Sequence, residues 1–436
     1  MNVYPSYKNS GVEWIGEIPS EWGVKPLKYV SDDNLHSLGS ETDPEYELNY
    51  LEISDVDSLG NIKKPTIYTF SKSPSRCRRI VLKDDIIIST VRTYLKSIGF
   101  INDEVKDLIC STGFCVITPD KTLILPSILF YMVRMESFIS KVISLSEGVS
   151  YPSINSDKLV GIKILIPPLQ EQQQISDYLD YKTSKIDTLI EKTKQKIELL
   201  KEQRISLINT TVTKGFNPNV EMKDSGVEWI GEIPSGWDVV SIKRLCSIKR
   251  GSSPRPIDNP DYFDEKGEFS WVRIADVSSS NRYLEKTKQQ LSELGSSLST
   301  KRYPGDLFLS IAGTVGKPII TKIKCCIHDG FVWFDDLNTN KEFLYYIFSV
   351  DQCFKGLGKM GTQLNLNTDT VGLVKIPLMN TKEQQKIVDY LDLETLKIDK
   401  LVDIESKRIK LLKEYRQSLI SDVVTGKVDV RDEVLV

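Results

Sequence analysis

"NSGVEWIGEIPSEW", residues 9–22, returns almost letter for letter as "DSGVEWIGEIPSGW", residues 224–237. A phrase of this length does not recur by composition; it marks a duplicated structural unit, and duplication bounds the architecture before any single residue is read. With the phrases superposed, Gly11 falls on Gly226, a shift of 215. Other matches follow in order. "YLEISDV" (50–56) lies on "WVRIADV" (271–277), and "DIIIS" (85–89) lies on "DLFLS" (306–310), both at a shift of 221. "TGF" ending at Phe114 meets "DGF" ending at Phe331, and "LFY" ending at Tyr131 meets "LYY" ending at Tyr346. "EQQQISDYLD" from Glu171 meets "EQQKIVDYLD" from Glu383 at a shift of 212. A shift that drifts by a few residues is what surface-loop insertions and deletions produce. The repeat covers nearly the whole chain. Its opening phrases and EQQ segments are near copies, whereas the regions between them share only scattered apolar and glycine positions: the scaffold is repeated, and what it carries differs.

The EQQ segments predict long helices. In the first, Ile175, Leu179, Ile186, Leu189, Ile197, Leu200, Leu207 and the neighbouring apolar positions recur at three- and four-residue steps with Lys, Glu and Gln between them. Pro167 and Pro168 precede it, and Gly215 with Pro218 closes it. In the second, Thr381 and Gln384 have capping-box spacing and Gly426 marks the stop. Each helix is expected to run ~40 residues, or ~60 Å at 1.5 Å per residue. An apolar stripe of that length outruns a small domain, so pairing with the other helix is favoured over two independent amphipathic helices. The intervening segments read as α+β: "DIIIST", "GFCVIT", "DLFLSIA" and "GFVWF" are strand-like runs bounded by Gly, Pro, Asp and Ser, and "LPSILFYMVRMESFISKVI" (125–143) reads as a helix. The repeated opening phrase is expected to be irregular and anchored by its tryptophans. The expected fold class is therefore α+β, with a first domain at 1–166, a first long helix at 167–215, a linker and second domain at 216–377, and a second long helix with a C-terminal tail at 378–436.

The bulk properties exclude several function classes. With 436 residues, 40% apolar and 27% charged, the chain is an ordinary multidomain globular protein without an apolar span of membrane length. Its first ten residues have no leader-like apolar region, so a cytoplasmic location is expected, with no membrane partner. Seven cysteines without a CxxC pair predict neither a disulfide framework nor a zinc site. His36 and His328 are the whole imidazole supply, and a structural role is the better reading of both. "GTVGKP" (313–318) resembles part of a phosphate loop, but Ile311 and Pro318 stand where Gly and Ser or Thr are needed, so a tight turn is expected. Asp85, Glu104 and Lys106 can be forced into the acid, acid, lysine pattern of a metal-dependent nuclease; the second half lacks it, and solvated charge is favoured. No catalytic residue and no metal site is expected.

Binding remains. The net charge is only −3, but charge is sorted along the chain: acids without bases from Asp32 to Asp57, then Lys63, Lys64, Lys72, Arg76, Arg78, Arg79 and Lys83 without an acid among them. Arg76, Arg78 and Arg79, followed by Arg92, Thr93 and Tyr94, offer guanidinium forks and hydroxyls suited to phosphates and to guanine edges. Lys249, Arg250, Ser252, Arg255, Lys301, Arg302 and Lys317 offer the same chemistry in the second half. A solvated basic face competes as a reading of each residue singly; for the clusters together DNA is favoured. The loops "GVSYPSIN" (148–155), with Ser150 and Tyr151, and "GTQLNLN" (361–367), with Gln363, occupy equivalent places before the long helices and suit either base reading or turn formation.

The phrases "SGVEWIGEIPSEW", "VTKGFNPNVEMKDSGVEWIGEIPSGW", "PLQEQQQI" and "TKEQQKI", in this order along the full chain, resemble the specificity subunit of type I restriction-modification systems. The resemblance implies two tandem target recognition domains, each followed by a long spacer helix, with the helices paired as an antiparallel coiled coil under pseudo-twofold symmetry. It implies a subunit without catalysis of its own that reads a two-part asymmetric site on double-stranded DNA. Its implied partners are two methyltransferase subunits and motor-nuclease subunits. The subunit itself holds no cofactor; S-adenosylmethionine, Mg and ATP belong to the partners. It also implies docking of partners on the repeated phrases and helices, here Trp14, Trp229, Ile175, Leu179, Ile186, Ile387, Leu391 and Ile398. Two other readings stand beside it: a coiled-coil adaptor that reads no DNA, and a single-chain endonuclease with two half-site domains.

Overall fold

A computed structural model describes residues 2–355, 357 and 366–433. Contacts divide the chain into two units, Met1–Lys194 with Lys407–Val436, and Gln195–Ser406. The division runs through the two long helices, Leu169–Lys214 (46 residues) and Thr381–Val424 (44 residues), rather than at their ends. The reason is that each half of a helix packs in a different unit.

Both units are built on one plan. In the first, Glu47–Leu51 pairs parallel with Leu108–Ser111 and antiparallel with Thr66–Thr69, and Cys77–Ile80 adds to the other side of Leu108–Ser111. In the second, Phe269–Val272 pairs parallel with Cys325–Ile327 and antiparallel with Gln289–Leu291, and Thr300–Arg302 flanks Cys325–Ile327. A second sheet in the first unit has the order Ser31–Asp33, Phe114–Pro119, Ile86–Ser89, Ile98–Phe100, all antiparallel. Its run of three isoleucines carries no polar alternation because both faces are buried: Ile86 and Ile88 join one core with Cys115 and Ile117, and Ile87 joins another with Phe114 and Val116. Leu307 and Leu309 against Phe308 repeat that division in the second unit.

The EQQ phrase has a structural explanation. The side chain of Gln172 is buried; its Oε1 accepts from Leu125 N at 2.8 Å, and its Nε2 donates to Pro167 O at 2.8 Å and Leu123 O at 3.0 Å. Gln384 does the same for Asn340 N at 2.9 Å and Met379 O at 3.1 Å. One glutamine thus ties each long helix to the body of its unit, and each partner left unsatisfied would cost about 1–3 kcal/mol. Because Gln384 is used in this way, the Thr381–Gln384 capping box expected from spacing does not form; Asn380 caps the helix, with Oδ1 accepting from Glu383 N at 3.0 Å. Tyr131 to Asp180 (2.6 Å) and Tyr346 to Asp392 (2.5 Å) form a second matched tie.

The helix seams run antiparallel within a unit. In the second unit Lys196 meets Glu405 and Arg204 meets Asp399, so one residue number falls as the other rises. In the first, Arg416 meets Asp187 at 2.9 Å. Ile186, Ile190, Thr193, Ile197 and Leu200 are buried at alternating steps of four and three, the spacing of a coiled-coil seam. Beyond each helix end a glycine in the left-handed region, Gly426 (φ 72°) or Gly215 (φ 72°), lies against the tryptophan that ends an opening phrase, Trp22 or Trp237. The phrases are less irregular than expected. Their flanks pair as short antiparallel ribbons, Tyr7–Asn9 with Glu17–Pro19 and Met222–Asp224 with Glu232–Pro234, around a turn that places Gly11 and Gly226 at φ 67° and 65°.

Two further expectations change. Residues 125–143 form two helices, Pro126–Val133 and Glu136–Ser144, broken at Met135, whose ψ of 140° leaves the helical region. Asp85 is buried, not solvated; it accepts from Thr118 Oγ1 at 2.6 Å and Leu82 N at 2.8 Å, and burial raises its pKa above the ordinary carboxylate value.

Candidate nucleic-acid interface

The first unit carries a cleft where the parallel strands Glu47–Leu51 and Leu108–Ser111 end. It is lined by Tyr50, Glu52, Arg76, Arg92, Tyr94 and Tyr151, among others. Arg76 stands just before strand Cys77–Ile80 and is exposed, held in place by its carbonyl, which accepts from Thr112 N at 2.8 Å. Arg92 has φ 48° and ψ 48°, a left-handed conformation costing a non-glycine residue about 1–2 kcal/mol. Two contacts hold it there. Its backbone N donates to Pro152 O at 2.7 Å, and the neighbouring Thr93 hydroxyl is bonded to Ser146 Oγ at 2.9 Å. The outcome is a guanidinium stacked on the Tyr151 ring at 4.5 Å, with Tyr151 65% and Tyr94 50% exposed.

This geometry sorts the expected residues. Arg76, Arg92, Tyr94 and Tyr151 come together at the cleft, and Ser150 is exposed beside Tyr151. Thr93 does not reach solvent: it is buried, and its hydroxyl is spent on Ser146. Arg78 stacks on Phe70 at 4.8 Å and donates to Cys77 O, while Arg79, on the opposite pleat, is half-buried with its Nε enclosed. Alternation along Cys77–Ile80 forces that split, since successive side chains leave opposite faces.

The second unit has its cleft at the equivalent strand end, lined by Arg255, Ile257, Trp271, Arg273, His328 and Asp329. Arg255 is largely exposed and pairs with Asp329 at 3.4 Å. His328 Nδ1 accepts from Gly330 N at 2.9 Å, its ring packs on Phe331 and Trp271, and burial pulls its pKa below the ordinary imidazole value despite Asp329. Gly251 passes so near that an added Cβ would lie 2.3 Å from His328 O. Arg250 Nε donates to Asp329 O, and Ser252 bonds Thr300 at 2.9 Å. Lys249 is paired with Asp335, and Lys301 lies over the Phe269 ring at 4.7 Å. Arg302 is stacked 3.5 Å above Trp333 and mostly buried, so it offers little to an external ligand. Lys317 lines a different groove of this unit; its Nζ is bound by the carbonyls of Ser278 (3.0 Å) and Ser280 (2.7 Å), and burial lowers its pKa. Gln363 lies outside the described residues.

Ile175, Leu179, Ile186, Ile387, Leu391 and Ile398 are all buried within the units, so they cannot meet a docking partner without opening a core. Their apolar stripe is consumed by the protein itself. Trp14 and Trp229 differ: both are half-exposed, Trp14 against Phe138 with ring centroids 6.4 Å apart and Trp229 donating to Lys375 O at 3.1 Å. The residue missed by sequence reasoning is Glu52, together with its counterpart Arg273. Both stood in the aligned phrases "YLEISDV" and "WVRIADV", but neither belonged to a basic run. Among the described residues there is no group of His, Cys, Asp and Glu arranged to hold a metal ion, and no helix is long and apolar enough to cross a membrane.

Residues 19–199 and 234–414 each match the type I restriction modification DNA specificity domain. A putative type I restriction enzyme MjaX specificity subunit of Methanocaldococcus jannaschii is 25% identical, with 96% of each chain covered. The type I restriction enzyme HindI specificity subunit of Haemophilus influenzae is 26% identical over 81% of this chain and 89% of its own. Among solved structures, a chain from a type I R-M system superposes with a TM-score of 0.73 at 24% identity, covering 94% of this chain and 99% of that one. The HsdS subunit from Thermoanaerobacter tengcongensis superposes with a TM-score of 0.56 at 22% identity, over 94% and 98%.

Proposed function

The chain belongs to the type I restriction modification DNA specificity family, and from that premise we propose that it reads a two-part asymmetric DNA site as the specificity subunit of a restriction-modification complex. The carrying observation is that two units of one plan present matched clefts with different linings, Arg76, Arg92, Tyr94 and Tyr151 in one and Arg255, Arg273 and Asp329 in the other. A repeated scaffold lets two identical partner subunits dock alike, while unlike clefts read unlike sequences. The partners are two methyltransferase subunits, contacted through the half-exposed Trp14 and Trp229 regions, and motor-nuclease subunits. S-adenosylmethionine, Mg and ATP act on those partners, and this chain contributes no catalytic group.

The test is a genome-wide map of methyladenine in the source organism with this gene intact and deleted. Loss of one split motif on deletion is the expected result. An unchanged map, with the partner genes expressed, would refute DNA reading and favour a protein adaptor.

A further inference from the structure

Glu52 and Arg273 occupy one backbone position in the two units. Glu52 has φ −100° and ψ 170°; Arg273 has φ −104° and ψ 160°. Each follows the strand that pairs in parallel at the centre of its sheet, and each backbone N donates to the aspartate three residues on, Asp55 at 3.0 Å and Asp276 at 2.9 Å. Each precedes a short helical turn, and each stands beside a buried aromatic floor, Tyr50 or Trp271. Both side chains are exposed on the lining of the cleft. The scaffold is held constant and the charge is reversed.

A carboxylate beside Arg76 and Arg92 in a cleft facing DNA is repelled by phosphates. Its favourable partner on a duplex is an exocyclic amine at a base edge, cytosine N4 or adenine N6. A guanidinium at the same place matches the two acceptors of guanine, O6 and N7. Ser54 Oγ donates to Glu52, which orients the carboxylate, and among the described residues neither Glu52 nor Arg273 is held in an ion pair.

We infer that Glu52 and Arg273 are matched base-reading residues, Glu52 accepting from the amino group of a base in one half-site and Arg273 donating to a guanine in the other. This rests on the DNA-reading function proposed above. The experiment uses the full chain in complex with its methyltransferase partners. Duplexes carrying the mapped motif are compared with duplexes in which each specified base pair is replaced in turn, for the wild type and for Glu52→Ala, Glu52→Gln, Arg273→Ala and Arg273→Gln. The wild type is expected to discriminate about 5- to 150-fold at each directly read position. The alanine variants should abolish that discrimination at one position each, in opposite halves of the site, with guanine at the position lost in Arg273→Ala. Uniform weakening of all duplexes by Arg273→Ala, with a shallower salt dependence, would make Arg273 a phosphate contact, and uniform strengthening by Glu52→Ala would make Glu52 a merely repulsive charge; either would overturn the inference, as would unchanged discrimination in both alanine variants. A wild type without sequence preference would instead defeat the DNA-reading function itself.

Discussion

Neighbouring arginines at the start of one strand have unlike uses here. Arg76 opens onto the cleft, Arg78 lies on Phe70 and Arg79 is drawn inward. Arg76→Ala and Arg92→Asn are therefore expected to lower DNA affinity and to reduce the slope of log affinity against log salt by about 1 each, whereas Arg78→Ala should leave the slope unchanged. Asparagine is chosen at 92 because it tolerates the left-handed backbone, so the guanidinium is removed without relocating the turn. Fluorescence anisotropy over a salt series reads all three; a slope altered by Arg78→Ala alone would reassign the contact. The clustering of basic residues was legible in the sequence, but which of them reach solvent was not, since the pleat of one strand and the backbone of the loop at Arg92 decide it.

At the level of elements, the matched helix ends differ in one respect that can be measured. A Cβ on Gly215 would sit 3.5 Å from the Trp237 ring, an ordinary contact, so Gly215→Ala carries mainly left-handed strain of about 1–2 kcal/mol. A Cβ on Gly426 would sit 2.4 Å from Pro19 and 3.3 Å from Trp22, so Gly426→Ala carries the same strain and a steric clash as well. Urea unfolding should show Gly426→Ala to be the more destabilising; equal losses would contradict this packing. Helix existence, length and stops were readable from the apolar period, the prolines and the glycines. The break at Met135 and the diversion of Gln384 from capping to tethering were not, because both answer to neighbours remote in sequence.

On the scale of the molecule, two segments remote in sequence meet within the first unit: Asn2 and Asp429 form a β-bridge, with Asp429 N donating to Asn2 O at 2.9 Å. The connection between the halves at Asn217, Pro218 and Asn219 is exposed. A permuted chain that joins 433 to 2 by a short Gly/Ser linker and opens at 218 keeps every strand pairing among the described residues, so it should fold and retain wild-type DNA discrimination. Aggregation, or a melting temperature lowered by more than about 8 °C, would show that the connection is structural. By itself the sequence determined the duplication, the two long helices, the α+β bodies and the family, because repeats and periodicity are local properties that survive without a fold. Only the tertiary structure decided that Glu52 joins Arg76, Arg92 and Tyr151 and that Arg273 joins Arg255. Those groupings depend on a parallel strand pairing between segments distant in sequence, and pairing across such a distance leaves no mark on residue spacing.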